Sequence, residues 1–434
     1  MQILIHGGQL INPGLVDGIR DIFIIDGVIT QIAPSGELAD IPAEAGDRTT
    51  RIINATGKIV TPGLIDMHVH LREPGFEHKE TIASGCRAAV AGGFTAVCAM
   101  PNTNPVNDSP ETTAFMLEKA RKAGLARVYP AGAITQGLSG HTLCDYTALQ
   151  AAGAVAFTDD GCPVENDALM ESALKAAGQL GLTIISHSEM MDLAGSGEMN
   201  QGAVAQRLGL KGIPNAAESL MVEREIALSE KTGARMHIAH VSTAESVDVI
   251  RLAKQRGVPV TAETAPHYFT LTDSDVEKYG TRAKMNPPLR SQKDREAIRQ
   301  GLADDTLDVI ATDHAPHSDE EKAVDFPLAP NGITGLETAL PLSLRLVADG
   351  VISMETLIAK MTRRPAEVLG VTSGLGIGKP ADITIIDPDV EYEARPESFH
   401  SKSGNSPFIG WQLKGRAVAT IVGGRIVHEV GSHA

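Results

Sequence analysis

The sequence predicts an α/β fold: a (β/α)8 TIM-like barrel with a small β-domain built from the N- and C-terminal segments. Through the middle of the chain, apolar strand-like runs alternate with helical stretches rich in Ala, Leu, Glu and Lys, the pattern of a parallel sheet with crossover helices. Eight such runs lie near residues 64–70, 94–100, 127–133, 153–158, 182–187, 235–240, 258–263 and 307–312, and eight βα units favour a closed barrel over an open sheet. Both ends of the 434-residue chain instead carry short β-type runs and hairpin signals.

In chain order, the expected divisions are 1–55 for the first part of the β-domain, 56–372 for the barrel and 373–434 for the second part of the β-domain. Asp26-Gly27 inside Phe23–Thr30 is a strong hairpin turn. Residues 381–387 and 417–427 supply a further strand and a second hairpin, so the two ends can pair into one unit, with separate end domains as the alternative. Lys58–Ile65 reads as a buried strand leading to Asp66-Met-His68-Val-His70. Glu77–Ala91 reads as a helix, stopped by Gly92-Gly93 through a left-handed cap.

Residues two apart on a strand share a side, so His68 and His70 project together, as a pair gripping one metal ion must. An isolated His-X-His is more often two unrelated histidines. The rest of the chain alters that balance, because barrel enzymes place their chemistry at the carboxyl ends of strands and in the following loops. Ligand-type residues recur there: Asp159 and Asp160, His187 and Glu189, His240, then Asp313, His314 and His317. Nitrogen and carboxylate donors without thiolates suit catalytic Zn2+, and Mn2+, Co2+ or Fe2+ would accept them too. These candidates exceed what one tetrahedral ion needs. Two ions with a carboxylate between them and a shared hydroxide nucleophile are therefore expected.

The balance of 38 Lys+Arg against 54 Asp+Glu, a net charge of −16, argues against nucleic acid or an anionic membrane as partner. A locally basic anion site remains compatible with it. Cys86, Cys98, Cys144 and Cys162 are scattered without a Cys-X-X-Cys pair, which suggests reduced thiols that are mostly buried. The N-terminus lacks the basic and apolar regions of a secretion signal, and no apolar run reaches the roughly 18 residues of a membrane helix. A cytoplasmic location is the expectation.

Several motifs together carry a family resemblance. His68-Val-His-Leu-Arg-Glu-Pro-Gly75, Met100-Pro-Asn-Thr103, Phe157-Thr-Asp-Asp-Gly161, Lys284-Met-Asn-Pro-Pro-Leu-Arg290, Ala311-Thr-Asp-His-Ala-Pro-His317 and Asn405-Ser-Pro-Phe-Ile-Gly410 resemble the type I dihydroorotases of the amidohydrolase superfamily. The resemblance runs from about residue 3 to 428. It implies a barrel enzyme that interconverts N-carbamoyl-L-aspartate and L-dihydroorotate in pyrimidine (UMP) synthesis. It further implies that His68, His70 and Asp313 hold one Zn2+, that His187 and His240 hold the other, and that Asp160 bridges them. Many relatives, hydantoinases included, bridge with a carboxylated lysine instead. Locally, Asp159 competes with Asp160 and either could cap a helix; the family spacing selects Asp160.

Within the resemblance Asp313 is the general base and acid, taking a proton from water and passing it to the leaving ring nitrogen. Ring closure takes up a proton, so acidity favours dihydroorotate. Arg72 offers a planar fork for the substrate carboxylate, and few other basic residues cluster nearby in sequence. Asn102 and His317 match the remaining carboxylate contacts, while Asn286 and the Asn331-Gly332 backbone match ring contacts. Asn331 stands where the family often has Pro, and His267-Tyr268 where it often has paired histidines; His237 and His267 read as structural. Residues 315–331 form a polar, proline-containing connection that is either simply mobile or closes over the substrate with His317. The family suggests a homodimer and leaves association with aspartate transcarbamoylase open. The rival functions are another cyclic amidase (hydantoinase or allantoinase) and a non-catalytic scaffold for the transcarbamoylase.

Overall fold

The computed structural model describes residues 1–15, 17–38, 44–45 and 48–431. Residues 39–43 and 46–47 of the β-rich N-terminal stretch lie outside the described residues. At the centre are eight parallel strands, β1 (Leu64–Val69), β2 (Phe94–Ala99), β3 (Arg127–Gly132), β4 (Ala156–Phe157), β5 (Thr183–Ser186), β6 (Met236–Ile238), β7 (Val260–Thr264) and β8 (Val309–Ile310), each beside the next in sequence. A parallel bridge between Val69 and His314 joins the first strand to the segment after the last. Thr312 N also donates to the buried Asp66 carboxylate at 3.1 Å, which ties β8 to β1.

Strands β4 and β8 are only two residues long, shorter than their apolar runs predict. Their chains leave the ladder early to form the polar loops of one rim. Helices separate the strands, from Ile82–Ala91 after β1 to Gln292–Ala303 before β8. Their starts are set locally: the side chains of Thr81, Ser109, Asp145, Asn166, Thr243 and Ser291 each accept a backbone N–H of the first turn. The interior holds modest side chains, among them Ile65, Met67, Cys98, Ala131, Ile185 and Ala239. Larger residues such as Phe94, Phe157, Met236 and Ile310 fill the layer against the helices.

The helix expected over Glu77–Ala91 begins five residues later, at Ile82, because Thr81 and Ser84 form a reciprocal capping box. Residues 77–81 are thereby freed to turn Lys79 and Glu80 inward. The expected left-handed stop is at Gly93, with φ +94°.

The run 58–65 is two strands rather than one. Ile59–Pro62 pairs with Ile383–Glu393 and with Gln2–Leu10, so the two ends of the chain share one nine-stranded sheet. Asp26-Gly27 and Gly423-Gly424 make its tight turns with positive φ at both central residues, the geometry that matches strand twist. Among the described residues no helix is long and apolar enough to cross a membrane. Cys86, Cys98 and Cys144 are buried, and Cys162 is exposed.

Gly63 joins the end sheet to β1, and a Cβ there would overlap the Thr95 side chain. Gly63→Ala is expected to cost about 1–3 kcal/mol through overpacking, read as a lower urea midpoint. An unchanged midpoint would show that this junction has slack.

Candidate metal centre and active site

The rim at the carboxyl ends of the strands gathers the expected ligands. His68 and His70 leave β1, Asp160 follows β4, His187 follows β5, His240 follows β6 and Asp313 follows β8; all are buried. Arg72, His240 and Asp313 have φ of +61°, +34° and +49°, the left-handed region that side-chain-bearing residues avoid. Such turns aim side chains from different strands at a common point, at a cost on the order of 1–3 kcal/mol each that the surrounding packing must offset.

That point is the Asp160 carboxylate. Its Oδ1 lies 3.3 Å from His68 Nε2 and 3.7 Å from both His187 Nδ1 and His240 Nε2; its Oδ2 lies 3.5 Å from His70 Nε2. Asp313 Oδ1 is 3.0 Å from His70 Nε2 and 3.6 Å from His68 Nε2. Two groups can each hold a cation, His68/His70/Asp160 and Asp160/His187/His240, with Asp160 common to both.

The residues fit such ions. His68 Nε2 and Asp160 Oδ1 are buried without a hydrogen-bond partner, an expensive arrangement unless something else satisfies them. Burial works against charge on Asp160, yet the surrounding imidazoles of His68, His187 and His240 hold its carboxyl well below the usual range. Burial likewise opposes charge on His187, but Asp160 and Glu189 raise it to about 10. Carboxylates this strongly ionised among imidazoles define a place for positive charge, which a metal ion held there would supply.

Sequence reasoning missed Glu263 and Glu218, and it gave Glu189 and Asp159 no part in holding the ligands. Glu263, buried on β7, sits 2.6 Å from His68 Nδ1 and 3.3 Å from His237 Nε2. It therefore fixes which nitrogen His68 presents to the site. An acid inside the buried run Val-Thr-Ala-Glu-Thr was the available signal. Glu189 lies 3.4 Å from His187 Nε2 and accepts from Asn286 Nδ2 at 2.8 Å. Glu218 accepts the N–H groups of Ser242 and Thr243, just beyond His240. Asp159 caps no helix: it accepts from Ile134 N at 2.7 Å and Thr135 N at 3.0 Å, which steadies the turn carrying Asp160. His237 is tied to Thr261, and His267, packed edge-on against Tyr268, is pushed down to about 4 by burial.

Above the carboxylates opens a cavity of about 220 Å3. Arg72, Asn102, Asn286, His317, Asn331 and Gly332 all line it, together with His70, Asp160, His187, His240 and Asp313; His68 lies beneath. Asn102 Oδ1 meets His70 Nδ1 at 2.9 Å while its amide donates to Asp160 Oδ2 at 3.3 Å, so it orients two ligands as well as lining the pocket. Arg72 forms no ion pair among the described residues; it donates to Pro316 O at 3.2 Å, and its Nη2 lies 3.4 Å from His317 Nε2. Gly332, at φ +130°, runs so close to Ala315 that a Cβ would come within 2.6 Å of the Ala315 methyl.

The connection over 315–331 carries a short helix (Asp319–Lys322) and a 3-10 turn (Phe326–Leu328). Lys322 donates to Pro330 O, and Lys284 to Phe326 O, from the inner side. With Lys79 beside His317, basic residues are thus more numerous here than their spacing in sequence suggests.

Comparison with known proteins bears on all of this. The family model described as dihydro-orotase-like matches residues 57–246, and that of the amidohydrolase family matches 330–428. A dihydroorotase of Desulforapulum autotrophicum is 56% identical over 429 residues, covering 99% of both chains. One of Syntrophotalea carbinolica is 54% identical over 432 residues, covering 99% of this chain and 100% of the other. Among solved structures, an L-hydantoinase (dihydropyrimidinase) from Arthrobacter aurescens superposes with a TM-score of 0.86 at 26% identity, over 100% of this chain and 97% of its own. A D-hydantoinase (dihydropyrimidinase) from Thermus sp. gives 0.84 at 25%, over 100% and 96%. With more than half of its residues shared along its whole length, the chain belongs to the dihydroorotase family of the amidohydrolases.

Proposed function

We propose that this protein is an active dihydroorotase that interconverts L-dihydroorotate and N-carbamoyl-L-aspartate for pyrimidine synthesis. The observation that carries the reading is the buried Asp160 carboxylate shared by two ligand groups beneath a pocket with an unpaired arginine. His68, His70 and Asp313 would hold one divalent ion, His187 and His240 the other, with Asp160 between them. When bound, such ions acidify water and stabilise charge on the amide oxygen.

Asp313, facing the cavity, takes the proton of the attacking water and delivers it to the ring nitrogen as the C–N bond breaks. In the cyclisation direction it removes a proton from the attacking ureido nitrogen and gives it to the departing water. Arg72 with Asn102 and His317 receives the substrate carboxylate, and Asn286 with the Asn331-Gly332 backbone positions the ring. Zinc as the metal, a homodimer, a cytoplasmic location and association with aspartate transcarbamoylase rest on the family resemblance.

The hydantoinase likeness of the solved structures keeps a second cyclic amidase in play, and Asp160 in place of a carboxylated lysine speaks against it. Purified protein is therefore to be assayed with L-dihydroorotate beside hydantoin and allantoin, after chelation and after zinc is restored. Loss of dihydroorotate alone, abolished by chelation and recovered with zinc, is the expected result. Faster turnover of hydantoin or allantoin would reassign the substrate, and no turnover with metal bound would favour the scaffold reading.

Two variants separate the roles. Glu263→Gln should weaken metal retention by about 10–100-fold through loss of the group orienting His68. Metal content after dialysis against a chelator reads this, and full retention would remove Glu263 from the centre. Arg72→Met should raise KM for dihydroorotate by about tenfold or more, as expected for losing a charge-assisted pair. Unchanged saturation would place the carboxylate elsewhere.

A further inference from the structure

Three of the imidazoles facing Asp160 have a side-chain partner on the nitrogen turned away from it. Glu263 serves His68 at 2.6 Å and Glu189 serves His187 at 3.4 Å, and both are carboxylates. His70 differs, because its Nδ1 meets the side-chain oxygen of a neutral amide, Asn102, at 2.9 Å. Neighbouring strands bring the two residues together. Met100 N donates to Val69 O at 2.9 Å where β1 and β2 leave the barrel, and Thr103 N closes a tight turn on Pro101 O at 2.8 Å, which sets Asn102 beside His70.

An amide can be turned either way, so the far side of Asn102 decides which end His70 meets. There its nitrogen lies 3.3 Å from Asp160 Oδ2 and 3.5 Å from Asp160 O. A carboxylate and a backbone carbonyl only accept, so the amide nitrogen must face them and the amide oxygen must face His70. That oxygen also only accepts. His70 Nδ1 therefore carries a proton, and Nε2 is the nitrogen left for a metal. Nε2 is indeed the one 3.0 Å from Asp313 Oδ1 and 3.5 Å from Asp160 Oδ2. Turned the other way, the amide would set its oxygen against two acceptors and its N–H toward Nδ1, which would leave the ring proton on Nε2, where the ion belongs.

We propose that Asn102 is a positioning residue of the metal centre: it relays the polarity of Asp160 to His70, fixing the Nδ1–H tautomer that offers Nε2 to the ion shared with His68 and Asp313. This role, which rests on the reading of those residues as metal ligands, is additional to any contact of Asn102 with substrate. Among the described residues no other group bonds to His70 Nδ1, so nothing replaces the amide when it is removed.

The test reads metal and a ring proton on the full chain. After zinc loading and dialysis against graded chelator, Asn102→Leu should release zinc about 10–100-fold more readily than wild type, the usual cost of losing a group that orients a metal-bound imidazole. Asn102→Ala should do the same, which guards against a fault peculiar to the leucine. Arg72→Met alters the same pocket without touching a ligand and should release zinc no more readily than wild type. With ring-15N-labelled histidine, and His70→Ala to assign the signal, the Nδ1–H of His70 in the zinc-loaded wild type should exchange slowly with water. At saturating zinc the same proton in Asn102→Leu should exchange faster, its acceptor being gone.

Zinc retention in both Asn102 variants equal to that of wild type, with only KM for dihydroorotate raised, would overturn the proposal, since Asn102 would then serve the substrate alone. So would an equal loss of zinc from Arg72→Met, because any change in the pocket would then loosen the ions. An unchanged exchange rate in Asn102→Leu would remove the hydrogen bond on which the relay depends. A wild type that holds no zinc would overturn it together with the metal reading. Neither readout needs turnover, so a wild type that binds zinc yet is inert toward dihydroorotate would fail the functional reading while the part played by Asn102 is still decided.

Discussion

A buried carboxylate surrounded by four imidazoles is the constraint to which the rest of this structure answers. Taking an ionised carboxylate out of water costs several kcal/mol unless paired charge and hydrogen bonds compensate. Asp160 meets that cost by drawing His68, His70, His187 and His240 to within 3.3–3.7 Å. Those partners come from three different strands, so the barrel must bring their ends together to within a few ångströms. The left-handed turns at His240 and Asp313 and the two-residue ladders at β4 and β8 follow from that demand.

Charge is layered along the barrel axis. Asp66 and Glu263 lie beneath the imidazoles, Asp160 and Asp313 among them, and Arg72, Lys79, Lys284 and Lys322 around the mouth. In a chain of net charge −16 this basic rim is local, and a local field guides an anionic substrate without making the whole surface attractive to nucleic acid. Lys322 illustrates the cost. Burial and the neighbouring Lys284 lower its ammonium to about 7, and two backbone carbonyls stabilise it in place.

The barrel was legible because alternating apolar runs and helical stretches are local patterns, and strand exits then named the rim residues without any knowledge of contacts. Choosing Asp160 over Asp159 needed the family spacing, since both are carboxylates beside one another. The structure shows why they differ: Asp159 is used up on the amides of Ile134 and Thr135, whereas Asp160 Oδ1 has no hydrogen-bond partner. Glu263 was not found because its partner His68 lies 195 residues away, and no local pattern encodes such a pairing. The late start of the Ile82 helix was missed for a smaller reason. Residues 77–81 tolerate a helix by propensity, and the competing capping box decides by two hydrogen bonds.

The two chain ends also bear on the site, through Asn405. This buried residue lies between the strands Ile383–Glu393 and Gln412–Val422 of the end sheet, and its side chain reaches the barrel rim. Its carbonyl oxygen accepts His317 N at 3.1 Å, while its amide donates to Ala315 O and Gly332 O at 3.3 and 3.1 Å. One amide group thus satisfies three backbone groups on the two segments that carry His317 and Gly332 into the pocket. A buried backbone group left unpaired costs about 1–3 kcal/mol, so no apolar residue replaces Asn405 cheaply. Nearby, Ser401 and the backbone of Lys402 bond to Glu80, which faces His314 next to Asp313. The end sheet is therefore more than a cover for the barrel: its connecting segment forms part of the wall that shapes the pocket, which couples the closure of the two chain ends to the geometry of the site.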